Sequence, residues 1–498
     1  MKKALKTGFA AFLLSLDESD RARVRDFFSE FHLHFLVSKK DLRAFREDFE
    51  AAIMYLCKNG CSVEEALSRL ALFNLGGFWA RPSVVWLPLD NAAKIYPVSM
   101  GHGKQQVFRL SVYFKERVVP ELLQIALSFT IKRFPSFATT LKKGVFWHYF
   151  DVTKRHFAIE KENDVPCQPI KVSLSGSTSF RLMYHENRAS IELFHALTDG
   201  TGALIFLKAL CAEYLRLSGV SITDRGDIWP INDTPTAEET ENAFAKVEKA
   251  KSGSGFMDKV ATQMNGRLAR RTPCRMLHFK MSSDRLREVA KSRGVTVTAY
   301  LLMQMFYACL AATDETSGDI NIQVPVNMRK FYPSKTVRNF SMYCGIRIPI
   351  ENIRDKESLL SEISAQLVEK TAKDKMHEMI TSTRKLVESI RFIPLLIKQP
   401  IARIIYGFLG EKVCTTTFSN LGVVDIPDEM AEHIEYMDFC LGAQEVNRLA
   451  CSAITFGKIT TLTISKMTAD PTFEERLYKL LCDDGIETSV EGSEYYAR

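Results

Sequence analysis

No stretch of the 498 residues reaches the roughly 18 uninterrupted apolar positions that a membrane-crossing helix needs. The longest candidate runs from Ala299 to Ala312 and is interrupted by Gln304, which reads as a buried core helix. A disulfide framework is missing too. The 11 cysteines are odd in number and scattered, and only Cys57 and Cys61 lie close, at a spacing that suits neither a zinc pair nor a redox pair. Reduced thiols packed as small hydrophobes fit that pattern and favour the cytoplasm. One-sided charge is absent: 66 Lys and Arg against 59 Asp and Glu leave +7, too little and too dispersed to indicate nucleic acid. With 25 Gly and 17 Pro, collagen-like and low-complexity chains are excluded. The sequence has no Gly-x-Ser-x-Gly elbow, no phosphate loop and no His-Glu-x-x-His. Gly101-His102-Gly103 opens a dinucleotide-type pattern, but Gln106 stands where its third glycine belongs. Lys2, Lys3 and Lys6 precede an apolar Gly8 to Leu14, yet no small-residue cleavage site follows, so no secretory signal is expected.

What is present, 46% hydrophobic and 25% charged residues, suits a folded chain of about two to four domains with a large core. Residues 1–80 read as a helical N-terminal extension. Ser38 precedes Leu42, Phe45, Phe49, Ile53 and Leu56 at helical spacing, Gly60 supplies a stop, and Ser62-Val63-Glu64-Glu65 opens another helix. From residue 81 the texture alternates. Strands are predicted at Val107 to Phe114, Gly144 to Phe150, Ser179 to His185 and Ser190 to Phe194, and helices from Pro120 toward Pro135 and over Thr201 to Leu217. Residues 226–270, with Pro230, Pro235 and Ser252-Gly253-Ser254-Gly255, read as a linker. The alternation resumes over 271–498. Strands are predicted at Met276 to Met281, Ile320 to Val326, Phe340 to Ile350 and Thr461 to Met467, and helices at Asp284 to Arg293, Thr298 to Ala311 and Glu357 to Lys370. The expected fold is therefore mixed α/β, with a first lobe over 81–225 and a second over 271–498. Ile390 to Leu409 carries a basic apolar pattern broken by Pro394 and Pro400. Core packing is the expected use, with membrane contact the lesser alternative.

Chemistry concentrates in Ile191-Glu192-Leu193-Phe194-His195-Ala196-Leu197-Thr198-Asp199-Gly200. A strand ends at Phe194, placing His195 in a strand-to-helix loop where it can face a cleft while its backbone is fixed. Asp199 stands where it can cap the following helix, and Gly200 gives the turn its freedom. Taken alone, His-x-x-x-Asp is more often a polar strand end and an N-cap than a site. A metal pair lacks a third ligand motif.

His195-x-x-x-Asp199-Gly200 closing the first of two lobes resembles the chloramphenicol-acetyltransferase-like superfamily, which includes condensation domains, plant acyltransferases and alcohol acetyltransferases. Within it the sequence is most like the bacterial alcohol acetyltransferase-like proteins. Leu122 to Pro135 with Gly144-Val145-Phe146-Trp147 agrees, as do Leu286 to Ala290 running into Gly294 to Ala299, Pro325-Val326-Asn327-Met328-Arg329, and Ser419-Asn420-Leu421-Gly422. The likeness spans about residues 84 to 490 and leaves the N-terminal helices outside. Two departures stand out. Phe194 occupies the first of the paired histidines of condensation domains, and Ser419 to Gly422 stands in place of the plant-type Asp-Phe-Gly-Trp-Gly.

The resemblance implies two such lobes with a channel between them and an acyltransferase that moves an acyl group, acetyl foremost, from a CoA thioester to an alcohol. In that picture His195 is the general base. Asp199 turns away from the substrate and pairs with Arg329, Gly200 shapes the turn, and Ser419 and Asn420 touch the substrate or the developing oxyanion. The expected co-substrate is acyl-CoA (acetyl-CoA) and the acceptor a small-molecule alcohol. No metal, no permanently bound cofactor and no nucleic acid are expected. A non-catalytic binding member of the fold and a condensation enzyme that forms amides with an acyl carrier protein remain the alternatives, the first encouraged by Phe194.

Overall fold

A computed structural model describes residues 2–80, 86–99, 106–170, 178–223, 225–248, 259–269, 274–405, 412–442 and 447–493. Gly101 to Gly103 and Ser252 to Gly255 lie outside the described residues. Four helices come first: α1 (Lys2–Ser15), α2 (Glu18–Glu30), α3 (Lys39–Lys58) and α4 (Val63–Arg69). The first half continues with β1 (Trp86–Pro88), α5 (Ile95–Ser99), β2 (Val107–Phe114), α6 (Pro120–Ile131), β3 (Thr139–Lys143), β4 (His148–Val152), β5 (Glu160–Lys161), β6 (Phe180–His185), β7 (Arg188–Phe194) and α7 (Gly200–Leu217). The second half begins with β8 (Arg275–Ser282), α8 (Ser283–Ser292), α9 (Val297–Ala311), β9 (Asp319–Asn327), β10 (Ser341–Pro349), α10 (Lys356–Lys370), α11 (Lys373–Ser389) and α12 (Leu395–Ile405). It ends with β11 (Thr416–Val424), α13 (Asp428–Ala431), β12 (Ile434–Leu441), β13 (Leu449–Phe456), β14 (Ile459–Lys466), α14 (Thr472–Asp483) and β15 (Thr488–Gly492).

Two principal sheets define two lobes. The first has the order β12-β2-β7-β6-β5, the second β10-β9-β11-β13-β14-β8-β15, and a small sheet β1-β4-β3 stands apart. In β2, Phe108, Leu110 and Val112 join the apolar core with α6 and α7. The intervening Arg109 and Ser111 are also buried, on the opposite face. Both faces of the strand are therefore covered. In the second lobe α9, with Tyr300, Leu301, Met305 and Phe306 almost inaccessible, is the central core helix. Among the described residues no single helix is long and apolar enough to cross a membrane.

Four expectations need correction. Gly144 to Trp147 is not strand but the turn between β3 and β4. The Gly144 N–H donates to the Trp147 carbonyl at 3.0 Å, and a Cβ at Gly144 would sit 2.6 Å from that oxygen. The linker over 226–270 is not a loose tether in its described part. Ala243, Phe244 and Val247 enter the second core, and Glu239 accepts two hydrogen bonds from Arg133, at 2.5 and 2.8 Å. The second lobe is not contiguous over 271–498, because β12 pairs antiparallel with β2 and belongs to the first sheet. Its edge position satisfies backbone groups that β2 would otherwise leave open. Pro400 lies inside α12 instead of ending it.

The apolar stripes of residues 1–80 find their partner in the first lobe. Phe9 packs on Phe28 with ring centroids 5.9 Å apart, and Phe49 meets Phe129 of α6 at 6.0 Å. Trp79 lies 6.3 Å from Phe157, and Arg69 donates to the Leu217 carbonyl at the end of α7. The extension and the first lobe thus share one core. Deleting residues 1–80 would bare Phe129 and its neighbours on α6, so the truncated protein is expected to aggregate or to melt well below the full chain. A soluble truncation with an unchanged thermal midpoint would show that the extension is an independent module.

Candidate active site

His195 stands one residue beyond β7, and its N–H extends the β2–β7 ladder by donating to the Gln106 carbonyl at 2.8 Å. The ring is stacked against Tyr96 of α5, centroids 5.0 Å apart, and flanked by Phe108 at 5.2 Å. Asn339, in the loop before β10, reaches it from the second lobe. Its Nδ2 donates to the His195 carbonyl at 3.2 Å and lies 3.3 Å from Nδ1. The Asn339 amide is oriented by Ser341, whose N–H and hydroxyl both donate to Oδ1, at 3.1 and 3.0 Å. Burial pushes the imidazole below its ordinary pKa, opposed by a hydrogen bond to its own backbone and by the Asp199 charge.

Asp199 caps α7, its Oδ1 accepting from the Gly202 N–H at 2.9 Å. Its Oδ2 accepts from Arg329 Nη1 and from the Phe340 N–H, each at 2.7 Å. Arg329 also donates to the carbonyls of Thr336 and Arg338, closing the loop that follows β9. Beside it Thr198 Oγ1 donates to the Val337 carbonyl at 2.5 Å. Close approach demands a glycine at 202, where a Cβ would lie 2.1 Å from the Val337 backbone oxygen, whereas a Cβ at Gly200 would meet only the end of the Leu421 side chain, at 2.5 Å.

Leu421 brings β11 against the start of α7, and Ser419 sits two positions earlier on that strand, buried and in register with Ser452. Asn420 has a different use from the one expected. Its Nδ2 donates to Thr298 at 3.1 Å and its Oδ1 accepts from the Gly422 N–H at 2.9 Å, which holds the irregularity in β11 where Gly422 takes φ +76°. Phe194 is buried in the first core and offers no acid or base. Sequence reading missed Asn339, Tyr96 and Gly202. Only Gly202 left a signal, the second glycine of Asp199-Gly200-Thr201-Gly202.

Two cavities lie where the halves meet. One of about 230 Å³ is lined by Lys94, Trp147, Asn242, Arg384 and Arg391, among others. The other, about 290 Å³, is lined by Arg109, Arg188, His278, Asp438 and Cys440 among others. The ligand atoms of His278, Asp438 and Cys440 all lie within 4.8 Å of one another, a grouping unrelated to His195. Asp438 already accepts from the Tyr113 hydroxyl at 2.8 Å, and the guanidinium groups of Arg109 and Arg188 repel a further cation.

No protein-family model matches the chain, and no curated protein matches its sequence. Solved structures do match. TRI101 of F. graminearum, in complex with coenzyme A and T-2 mycotoxin, aligns at TM-score 0.55 with 10% identity, over 81% of this chain and 100% of that one. TRI3 trichothecene 15-O-acetyltransferase of Fusarium sporotrichioides aligns at TM-score 0.51 with 13% identity, over 80% and 94%. The condensation domain of the Monacolin K polyketide synthase MokA aligns at TM-score 0.50 with 10% identity, over 81% and 97%. The chain has their two-lobed fold.

Asp199 and Arg329 are both largely buried, with side-chain exposures of 5% and 12%. Removing either strands the other charge, so Asp199→Ala and Arg329→Ala are each expected to lose about 3–5 kcal/mol in denaturant unfolding. Losses below about 1 kcal/mol would mean that the pair is replaceable by water.

Proposed function

We propose that this protein is an acyltransferase that moves an acyl group from a thioester to a hydroxyl, with His195 as general base. The observation that carries the proposal is a histidine ring at the junction of the lobes, stacked on Tyr96, flanked by Phe108 and reached by Asn339 from the second half, whose burial favours the neutral form. An alcohol is a poor nucleophile at neutral pH. Hydrogen-bonded to Nε2, it gives up its proton as its oxygen attacks the thioester carbonyl. The tetrahedral intermediate collapses, the C–S bond breaks, and the departing thiolate recovers the proton from the imidazolium. No acyl-enzyme forms, so none of the cysteines is needed as a nucleophile.

The fold likeness supports this reading, since one neighbour is named a 15-O-acetyltransferase and another holds coenzyme A with a small-molecule toxin. Acyl-CoA, acetyl-CoA foremost, is the donor we favour, and a small alcohol the acceptor. A fixed Phe194 in place of a second histidine argues against peptide condensation, although a condensation domain shares the fold. In this reading Asp199, Gly200 and Arg329 position the loop, and Ser419 remains the candidate contact to substrate or oxyanion. Asn420 serves the strand.

A thiol-release screen of several acyl-CoAs against alcohols, sugars and amines tests the activity. Release that requires an alcohol supports O-acyl transfer. Silence with every pair favours a binding module, and turnover only with acyl carrier protein favours the condensation alternative. His195→Ala is expected to lower turnover by roughly 10²–10⁴ while the protein stays folded. The acid limb of kcat/KM is expected at a midpoint below the usual histidine range near 6.5, because the base works only when neutral and burial keeps it neutral to lower pH. Asn339→Asp places a carboxylate beside the ring, favours the imidazolium and should move that limb to higher pH. A pH profile unchanged by Asn339→Asp would remove His195 from the rate-determining protonation.

A further inference from the structure

The solvent-facing side of α12 is apolar, the reverse of what a surface helix presents. Leu395 and Lys398 point inward, each 4% exposed, whereas Leu396, Ile397 and Ile401 are 88%, 54% and 50% exposed. The segment leading into the helix adds Phe392 at 71% and Ile393 at 37%, and the β3–β4 turn adds Val145 at 72% and Phe146 at 41%. These residues form one surface. Phe146 and Phe392 meet edge to face at 6.3 Å, and the Leu395 N–H donates to the Val145 carbonyl at 2.8 Å. Lys398 Nζ donates to the Phe146 carbonyl and lies 3.2 Å from the centre of the Trp147 ring. A turn and a helix distant in sequence are thus fastened together to hold apolar side chains in water.

The charge around this face is basic. Lys143, directly before the turn, and Arg391, 4.5 Å from the centre of the Phe392 ring, are exposed beside it, and Glu388 is paired with Arg384 at 3.2 Å. From Ser389 to Gly410 the sequence carries no acidic residue. Apolar and aromatic tips ringed by cations are the chemistry that inserts among acyl chains while pairing with anionic headgroups. The face is also near the site. α12 packs on α5, through Gln399 donating to the Pro97 carbonyl at 3.4 Å, and Tyr96 of α5 stacks on His195.

We propose that the β3–β4 turn and α12 form a docking surface that seats this protein on an anionic lipid bilayer, with the apolar tips in the interface. The full chain should co-float with phosphatidylcholine vesicles that contain phosphatidylglycerol, and much less with phosphatidylcholine alone. Leu396→Asp and Phe392→Asp change only exposed side chains, so the thermal midpoint should hold while vesicle binding falls by about tenfold or more. Arg391→Glu with Lys143→Glu should weaken binding to the anionic vesicles and reduce its salt dependence. No flotation of the wild-type chain, or equal flotation of the aspartate variants, would overturn the proposal. So would a vesicle-free dimer, or a carrier-protein complex, that Leu396→Asp disrupts while flotation persists. None of these readouts depends on turnover, so failure of the acyltransferase reading and failure of this one are separable.

Discussion

One buried carboxylate organises the centre of this molecule. Asp199 accepts from the Gly202 N–H, the Arg329 guanidinium and the Phe340 N–H, all between 2.7 and 2.9 Å. A charge withdrawn from water needs such partners, and each one it finds here belongs to a different element. The first is the start of α7, the second the end of β9, and the third the entry to β10. Satisfying one side chain therefore fixes where the second half of the chain lies against the first. Asn339 sits directly before Phe340, so its reach to His195 follows from the same constraint. The contact that the second half makes with the imidazole thus depends on how Asp199 is neutralised.

The junction does not rest on that residue alone. β12 leaves the second half of the chain and completes the first sheet, while Ser452 of the second sheet donates to the Phe439 carbonyl within β12 at 2.5 Å. The Arg133–Glu239 pair fastens the connector to α6, and Arg338 donates to the carbonyls of both Pro88 and Thr240. Arg109, Arg188 and Glu162 fill the sheet face at the larger cavity with opposed charges, Arg109 gripping Glu162 through two nitrogens at 2.8 and 2.7 Å. Buried pairs of this kind contribute little net stability, but a wrong register would leave a charge unpaired, which penalises alternative lobe arrangements.

Legibility in the sequence followed the range of the interaction. β2, β6, β7, α7 and α9 were readable because their periodicity is local. The N-caps at Ser38 and Ser62 were readable because their partners lie three residues away. His195 and Asp199 were legible as a loop between a strand and an apolar helix. Asn339 was not, since it lies 144 residues from His195 and looks like any loop asparagine. β12 was placed in the wrong lobe for the same reason, as pairing with β2 leaves no mark in its own residues. The apolar face of α12 was taken for core because composition cannot say which side of a helix faces water. Pro400 looked like a break although the helix continues through it.

The arrangement around His195 also bears on the base role proposed for it. In a triad a carboxylate accepts from Nδ1–H and stabilises the imidazolium as it forms. Here the carboxylate of the motif is turned toward Arg329 and two backbone amides, and the ring is held by Tyr96, Phe108 and Asn339. Burial between Tyr96 and Phe108 outweighs the residual attraction of Asp199, so the neutral ring is favoured at rest. An imidazole of that kind is a modest base, sufficient for an activated acyl group whose leaving thiolate takes the proton back. An amide, with a leaving group that must be protonated as it departs, would ask for a more stable imidazolium than this environment supplies. On the proposal that His195 is a base, the electrostatics of the loop suit transfer from a thioester.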